Sequence, residues 1–321
     1  MTRLRAAVVG VGYLGRFHAE KWAARPDVEL VAVVDVDPAR AKAVAQQFGV
    51  AAETDHRAVL GRVDCVSVAV PTVHHHAVAS ALLAGGVDVL VEKPVAESVA
   101  QARALVELAA RTQCVFQVGH LERFNPVLRP LVGRIHQPRF IECQRLGPFQ
   151  ERGTDVDVVL DLMIHDLDLV LSWVPSPLRA VEALGVPVLT RSVDIANARL
   201  RFANGCLADV TASRVSLKRE RKLRIFQPDG YISIDFDERR VRICRRDPGE
   251  NGEAPALSFE EIACPDGDAL AAEIDAFIAA VRARATPPVT GWDGLRAIEV
   301  AHVIRESVET EVRAAVAAAG A

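Results

Sequence analysis

Six residues near the start, Gly10-Val11-Gly12-Tyr13-Leu14-Gly15, restrict this chain more than any other stretch. An apolar run at 4–9 leads straight into them, and a helical pattern follows to about residue 24. Residues 28–34 then read as a second strand, closed by Asp35. Strand, glycine turn, helix, strand and acid in this order predict a dinucleotide-binding βαβ unit. The first glycine permits the tight turn, the second lets backbone approach a pyrophosphate, and the third lets helix and strand pack closely. Tyr13 and Leu14 open a helix whose free N–H groups face the phosphates. Asp35, twenty residues past Gly15, is placed to accept hydrogen bonds from a ribose diol. A carboxylate there repels a 2′-phosphate. Val36 and Asp37 supply no cation, and Arg40, the first basic residue, already lies inside the next helix. The expected cofactor is NAD rather than NADP. The plainer role for Asp35 is N-cap of that helix, and the two roles are compatible.

Up to residue 120, strand and helix patterns alternate. Residues 63–70, 87–91 and 114–119 read as further strands, with helical runs at 38–48, 75–84 and 98–111. The strands are near-continuous apolar runs, as a parallel sheet covered on both faces requires. Residues 1–120 are thus expected to form a doubly wound α/β domain with ligands at the carboxyl ends of its strands. The pattern changes after Phe124-Asn125-Pro126, so 121–321 is read as a second domain. A short helix to about 132, a strand at 139–144 and a helix at 158–173 come first. Alternation then points to strands from 180 onward, at 198–202, 207–213, 222–227, 231–236 and 240–244, with Asn204-Gly205 as a hairpin turn. Residues 247–255 read as a polar loop, and helices at 268–284 and 292–319 close the chain. The expected second domain is an open, largely antiparallel sheet with helices on one face. Its other face needs cover, expected from further copies in a homo-dimer or tetramer.

A length of 321 residues suits two domains. Net charge is −4 and the sequence pI about 6.2, which offers nucleic acid no basic surface. No apolar run approaches the roughly 20 residues that cross a bilayer. The first residues enter a strand directly, without a signal-peptide pattern. Six cysteines are scattered and none forms C-x-x-C, so reduced thiols in a cytoplasmic protein are expected.

Lysine occurs only at positions 21, 42, 93, 218 and 222, so Lys93 in Glu92-Lys93-Pro94 draws notice. It ends the fourth apolar strand, on the edge where a nicotinamide would lie. There it is suited to polarising a substrate hydroxyl, although a surface lysine is the common case. A second candidate set is Asp157, Asp161, His165 and Asp168, at i, i+4, i+8 and i+11. On a helix these form one narrow polar line amid apolar residues, so the helix should be largely buried. A histidine with an acid one turn before it suits acid–base work. An exposed polar face is the plain alternative. A metal held by Asp161, His165 and Asp168 ranks lower, and no metal is expected.

A third set, His120, Arg123 and Asn125, is expected to face the substrate. Arg123 as a junction salt bridge and Asn125 as the residue before a proline-started helix weigh equally. Among His74-His75-His76 consecutive helical positions diverge by about 100° and cannot readily share one ion. His75 is expected to line the cofactor crevice. The cluster Lys218-Arg219-Glu220-Arg221-Lys222 is read as a solvated connection between strands, with a diphosphate as the other reading. Residues 149–153, with Arg152, form a polar loop expected to close over substrate.

Taken together, these segments resemble the Gfo/Idh/MocA oxidoreductase family. The likeness runs through Val70-Pro71-Thr72-Val73-His74-His75, the stretch 81–87, Val91-Glu92-Lys93-Pro94 and Asp161-x-x-x-His165, and spans nearly the whole chain. It implies a Rossmann domain followed by an α/β domain with an open sheet that often mediates oligomers. It implies a Lys–Asp–His constellation, here Lys93, Asp161 and His165, with Pro71, Thr72, His75, Glu92 and Lys93 beside the cofactor. The stretch from Phe140 to Asp166 is similar to the branch that oxidises C3 of UDP-N-acetylglucosamine, ahead of an aminotransferase in making a lipid A diamino sugar. Where that pattern carries glycines, this chain has Val158-Val159. The resemblance leaves Lys93 or His165 as proton acceptor. It also leaves a polyol or inositol dehydrogenase, an NADP-linked reductase, or a non-catalytic NAD-binding regulator as rivals.

Overall fold

A computed structural model describes residues 2–149, 156–247 and 256–319. The chain divides into two compact units, Met1–Phe124 with Asp268–Ile298, and Asn125–Gly267 with Glu299–Ala321.

The first unit is built on six strands, β1 (Leu4–Val9), β2 (Val28–Val34), β3 (Ala51–Glu53), β4 (Cys65–Val68), β5 (Asp88–Glu92) and β6 (Phe116–Gly119). Helices α1 (Tyr13–Ala23), α2 (Pro38–Phe48), α3 (Thr72–Ala84) and α4 (Val99–Thr112) join them. Every pairing is parallel, in the order β3-β2-β1-β4-β5-β6. Val8, Val33, Val66, Leu90 and Val118 are fully buried, which is why these strands read as unbroken apolar runs. Strand order reverses between β1 and β4, so the ligand crevice of such a sheet lies beyond their carboxyl ends.

The first crossing between the units falls at 124/125, four residues past the boundary expected at 120/121. The segment Asp268–Ile298 belongs to the first unit, not to a second domain running to 321. The cause is the apolar face of α6 (Ala269–Ala283): Ile274, Phe277, Ile278 and Val281 share a core with Val8, Trp22, Val28 and Leu30. The Trp22 and Phe277 rings meet edge to face at 6.2 Å.

The second unit holds eight strands, β7 (Phe140–Leu146), β8 (Leu178–Val186), β9 (Ile195–Phe202), β10 (Leu207–Ser213), β11 (Glu220–Gln227), β12 (Gly230–Asp235), β13 (Arg240–Asp247) and β14 (Ala256–Ala263). Their order is β14-β13-β12-β11-β7-β10-β9-β8, antiparallel except for β7 beside β10. The hairpin at Asn204-Gly205 joins β9 to β10, with Gly205 at φ +83°. Period-two burial turns Ala196, Ala198, Leu200 and Phe202 inward and Asn197, Arg199 and Arg201 outward. Helix α5 (Ile164–Trp173) packs on the inner face. The strand β14 was not legible, because Glu260-Glu261 interrupts its alternation and all of it but Ile262 is exposed. The last helix, α7 (Gly291–Ala319), is divided between the two units.

The outward face carries cross-strand ion pairs, Arg199–Asp209 at 2.9 Å, Arg224–Glu142 at 2.5 Å and Arg242–Glu261 at 2.7 Å, beside the half-buried aromatic side chains of Phe140, Phe226 and Tyr231. Among the described residues, no helix is long and apolar enough to cross a membrane.

Candidate active site

The glycine turn has the geometry its spacing predicts. Gly10 has φ +84°, and a Cβ there would meet the Ala69 carbonyl at 2.7 Å. A Cβ on Gly15 would fall 1.7 Å from the Gly10 oxygen, so strand and helix meet through bare backbone. Gly12 is different: nothing lies within 4 Å of its Cβ direction. It precedes α1, whose first turn receives no side-chain cap. Open space above an uncapped helix start is what a pyrophosphate needs.

Asp35 is 5 % exposed and accepts from the Val11 N–H at 3.0 Å and the Asp37 N–H at 3.0 Å. It does not cap α2. That role is taken by Asp37, which accepts from the Ala39 and Arg40 amides. Arg40 reaches back from the first turn of α2 to Asp35, at 3.2 Å and 3.3 Å from its two oxygens. The helical setting of Arg40 therefore does not remove it from the ribose end. A carboxylate offers about four acceptor positions; the two amides take two and Arg40 the other two, which are the ones a ribose diol would take over. Tyr13 is exposed, its ring edge against Phe17 at 5.4 Å, and Leu14 is half-buried.

At the end of β5, Lys93 is half-buried and joined to Pro94 by a cis peptide. Glu92 turns inward instead of toward a cofactor. It is 8 % exposed and lies 2.9 Å from His18 Nε2. Glu273 of α6 completes this buried group, with ligand atoms of His18, Glu92 and Glu273 all within 4.8 Å of one another. Neither Glu273 oxygen has a hydrogen-bond partner. Burial first, and the Glu92 charge second, push the Glu273 carboxyl well above the usual carboxylate range. Glu273 is thus held neutral. One sign of it was legible: an acid beside Leu270, Ile274 and Phe277 on the apolar face of a helix.

His75 is likewise not presented to a ligand. It is 1 % exposed, with Nδ1 2.8 Å from the Pro94 carbonyl oxygen and Nε2 2.8 Å from that of Val70. Its ring ties the loop after β4 to the turn after β5. Burial lowers its pKa against the pull of those two carbonyls. Pro71 is exposed and Thr72 half-buried at the start of α3.

Residues 120–125 make contacts within the protein, and the Arg123 pair lies inside the first unit rather than at a junction. His120 is 1 % exposed, Arg123 pairs with Asp293 at 3.6 Å, and Asn125 caps the following turn through the Val127 N–H at 3.1 Å. Arg152 and the rest of 150–155 lie outside the described residues.

In the second unit, the expected polar line is broken by a π-helical turn, Val159–Met163, which changes the angular step before α5 begins. Asp157 caps that turn through the Val159 and Leu160 amides and binds Arg305 at 2.6 Å. Asp161 and His165 are half-buried. Asp168 is 1 % exposed, inside the unit rather than toward a substrate. The spacing thus separates into a cap, two accessible groups and one interior acid.

Asp161 lines a cavity of about 130 Å³ with Arg145, Leu146, Gly147, Pro148, Leu162, Arg214, Arg219 and Arg221. Sequence reasoning missed Arg145 and Arg214, each isolated in an apolar strand or just past its end. Arg145 forms a two-pronged pair with Asp166 at 2.9 and 2.8 Å. Arg214 holds Asp194 at 2.8 Å. Burial would raise the Asp194 carboxyl, but hydrogen bonds from Thr190, Leu189 and Arg214 outweigh it and hold it well below the usual range. Residues 220–222 lie in β11 rather than in a solvated connection.

A six-stranded parallel sheet, a glycine turn with room over Gly12 and an acid at the ribose position define a dinucleotide-dependent oxidoreductase. Residues 4–120 match the oxidoreductase family with an NAD-binding Rossmann fold, and residues 150–316 its C-terminal alpha/beta domain. The chain belongs to the Gfo/Idh/MocA oxidoreductase family and is an NAD-dependent dehydrogenase. It is 38 % identical to a UDP-N-acetylglucosamine 3-dehydrogenase of Acidithiobacillus ferrooxidans, over 96 % of this chain and 98 % of that protein. A solved structure titled as that enzyme superposes with a TM-score of 0.90 at 37 % identity, over 97 % of this chain and 99 % of the other. A scyllo-inositol 2-dehydrogenase (NAD(+)) of Bacillus subtilis is 28 % identical over 93 % of this chain and 92 % of that protein.

Proposed function

We propose that this dehydrogenase oxidises C3 of UDP-N-acetylglucosamine to the ketone. The likeness to a UDP-N-acetylglucosamine 3-dehydrogenase at 38 % identity over 96 % of the chain carries the reading. NAD supplies the hydride acceptor when bound. Gly10, Gly12, Gly15 and Asp35 hold its pyrophosphate and ribose. His165 takes the hydroxyl proton, Asp161 orients the ring and supports its cationic form, and Lys93 steadies the developing alkoxide. The half-burial of Asp161 and His165 supports their roles, because both remain reachable while partly desolvated. The product is a 3-keto sugar, and a step that adds an amine at that carbon must consume it, as in lipid A diamino-sugar synthesis. Six free thiols and the absence of a membrane-crossing helix among the described residues fit a cytoplasmic site. Association into a homo-oligomer through the eight-stranded sheet belongs to the same proposal. Its support is the aromatic row Phe140, Phe226 and Tyr231 on the outward face, with centroids 5.7 and 5.6 Å apart.

NADH formation with UDP-N-acetylglucosamine, free inositols and other polyols, each with NAD and NADP, tests the reading. Turnover with the nucleotide sugar and NAD is expected. Turnover with polyols alone overturns the substrate, and none with any sugar overturns catalysis. In the same assay His165→Asn lowers kcat by roughly 10²–10⁴, the usual worth of a positioned base, with NAD binding intact. Full activity in that variant overturns the role.

A further inference from the structure

We propose that the arginine-lined cavity of the second unit is the diphosphate subsite of a nucleoside diphosphate sugar, with Arg219 and Arg221 as its phosphate ligands. This rests on the nucleotide-sugar reading above and deepens it.

The sheet register supplies the first argument. Along the inner face, Ile141 faces Ile225 and Cys143 faces Leu223, all buried and apolar. The next inward pair is Arg145 opposite Arg221. Like charges directly opposite on neighbouring strands are destabilising. Arg214, immediately past β10 on the other side of β7, adds a third guanidinium, and Arg219 a fourth. The apolar sheet face thus ends in four guanidiniums around one cavity, a donor set suited to phosphate oxygens.

The two buried members are fixed by carboxylates of their own unit. Arg145 holds Asp166 and Arg214 holds Asp194, so they form a rigid frame. Arg221 is half-buried, and Arg219 is 61 % exposed and pairs with Asp237 at 3.1 Å. Exposed ion pairs are weak, so Arg219 can exchange its partner for a phosphate at little cost. The guanidinium fork suits phosphate oxygens, and a phosphate carries far more charge than the groups of a free polyol.

Position supplies the second argument. The same cavity is lined by Asp161, which the proposed chemistry sets behind His165, the base at the reacting hydroxyl and one helical turn further along the chain. In a pyranose, C1 and C3 are separated by one ring carbon. A sugar with its C3 hydroxyl at His165 therefore carries its anomeric phosphate about one ring away, on the side where Asp161 and these arginines line the cavity. A neutral polyol has nothing to place there, so the cavity separates the two substrate classes.

The test uses the full-length protein with Arg219→Ala, Arg221→Ala and Arg221→Lys. Measured are KM and kcat for UDP-N-acetylglucosamine, KM for NAD, inhibition by UDP and by inorganic pyrophosphate, and the unfolding midpoint. Each alanine variant should raise KM for the nucleotide sugar, and the inhibition constant for UDP, about tenfold or more, as expected for a lost charge-assisted hydrogen bond. KM for NAD should not move, and Arg221→Lys should recover part of the loss. A merely structural arginine would move the unfolding midpoint and leave the UDP constant alone. Wild-type turnover of the nucleotide sugar with unchanged constants in both alanine variants overturns the subsite and leaves the substrate reading standing. Wild-type binding of UDP that weakens in the variants, with no turnover of any UDP-sugar, overturns the substrate reading and supports the subsite. No binding of UDP at all overturns both.

Discussion

The two units bury ionisable groups by opposite means. In the first, His18, Glu92 and Glu273 share a dry pocket, and Glu273 keeps its proton. In the second, Arg145 grips Asp166, and Asp194 stays ionised because hydrogen bonds from Thr190, Leu189 and Arg214 outweigh its burial. A buried carboxylate must be neutralised by a proton or met by a cation and hydrogen bonds. The first solution makes stability sensitive to rising pH, and the second to falling pH. Each lies next to a candidate functional group: Glu92 precedes Lys93, and both arginines line the cavity that Asp161 shares.

The largest effect should come from breaking the second arrangement. Asp194→Ala leaves Arg214 buried without its carboxylate and should cost about 3–5 kcal/mol in denaturant unfolding. Replacing Asp194 and Arg214 together by apolar residues should cost less than the single change. The Asp194 carboxyl is lowered by folding, so its contribution is present above about pH 4 and is lost as pH falls below that. The single variant should therefore lose its deficit in acid.

Glu273 predicts the reverse slope. Its carboxyl is raised by folding, so the folded state holds a proton that the unfolded chain releases above about pH 4.3. Stability falls as pH rises from there, by about 1.4 kcal/mol per pH unit while the proton is retained. Glu273→Gln, neutral at every pH, should remove one proton's worth of slope as pH rises above the ordinary carboxylate range. An unchanged slope would mean that Glu273 is ionised and the contrast between the units is wrong.

Asp35→Ser should raise KM for NAD about tenfold through lost hydrogen bonds to a charged acceptor. It should also admit NADP, because Arg40 is left facing the 2′-phosphate. Kinetics with both cofactors decide this, and continued exclusion of NADP would count against Arg40. The smallest effect is expected at Asn125→Ala, about 1 kcal/mol for a lost cap, with little change in turnover. A large loss of kcat there would restore Asn125 to the substrate.

Much of the first unit was legible because its grammar is local. Gly10, Gly12, Gly15 and Asp35 act within one strand–helix–strand unit, so spacing along the chain is nearly spacing in space. The second unit was legible as strands and as a buried helix, but not as a site. A π turn at Val159–Met163 changes the angular step between Asp157 and Asp168, so the even line read from their spacing does not hold. Nothing in the residue types announces it.

The sequence by itself determined the βαβ nucleotide unit, the antiparallel character of the second sheet and the candidate pair Asp161 and His165, since each depends on short-range periodicity. Only the tertiary structure decided that Asp268–Ile298 packs with the first unit, that Arg40 returns to Asp35, and that Arg145 stands opposite Arg221. These depend on which apolar face finds which core and on strand register, and both are settled by contacts between residues far apart in the chain.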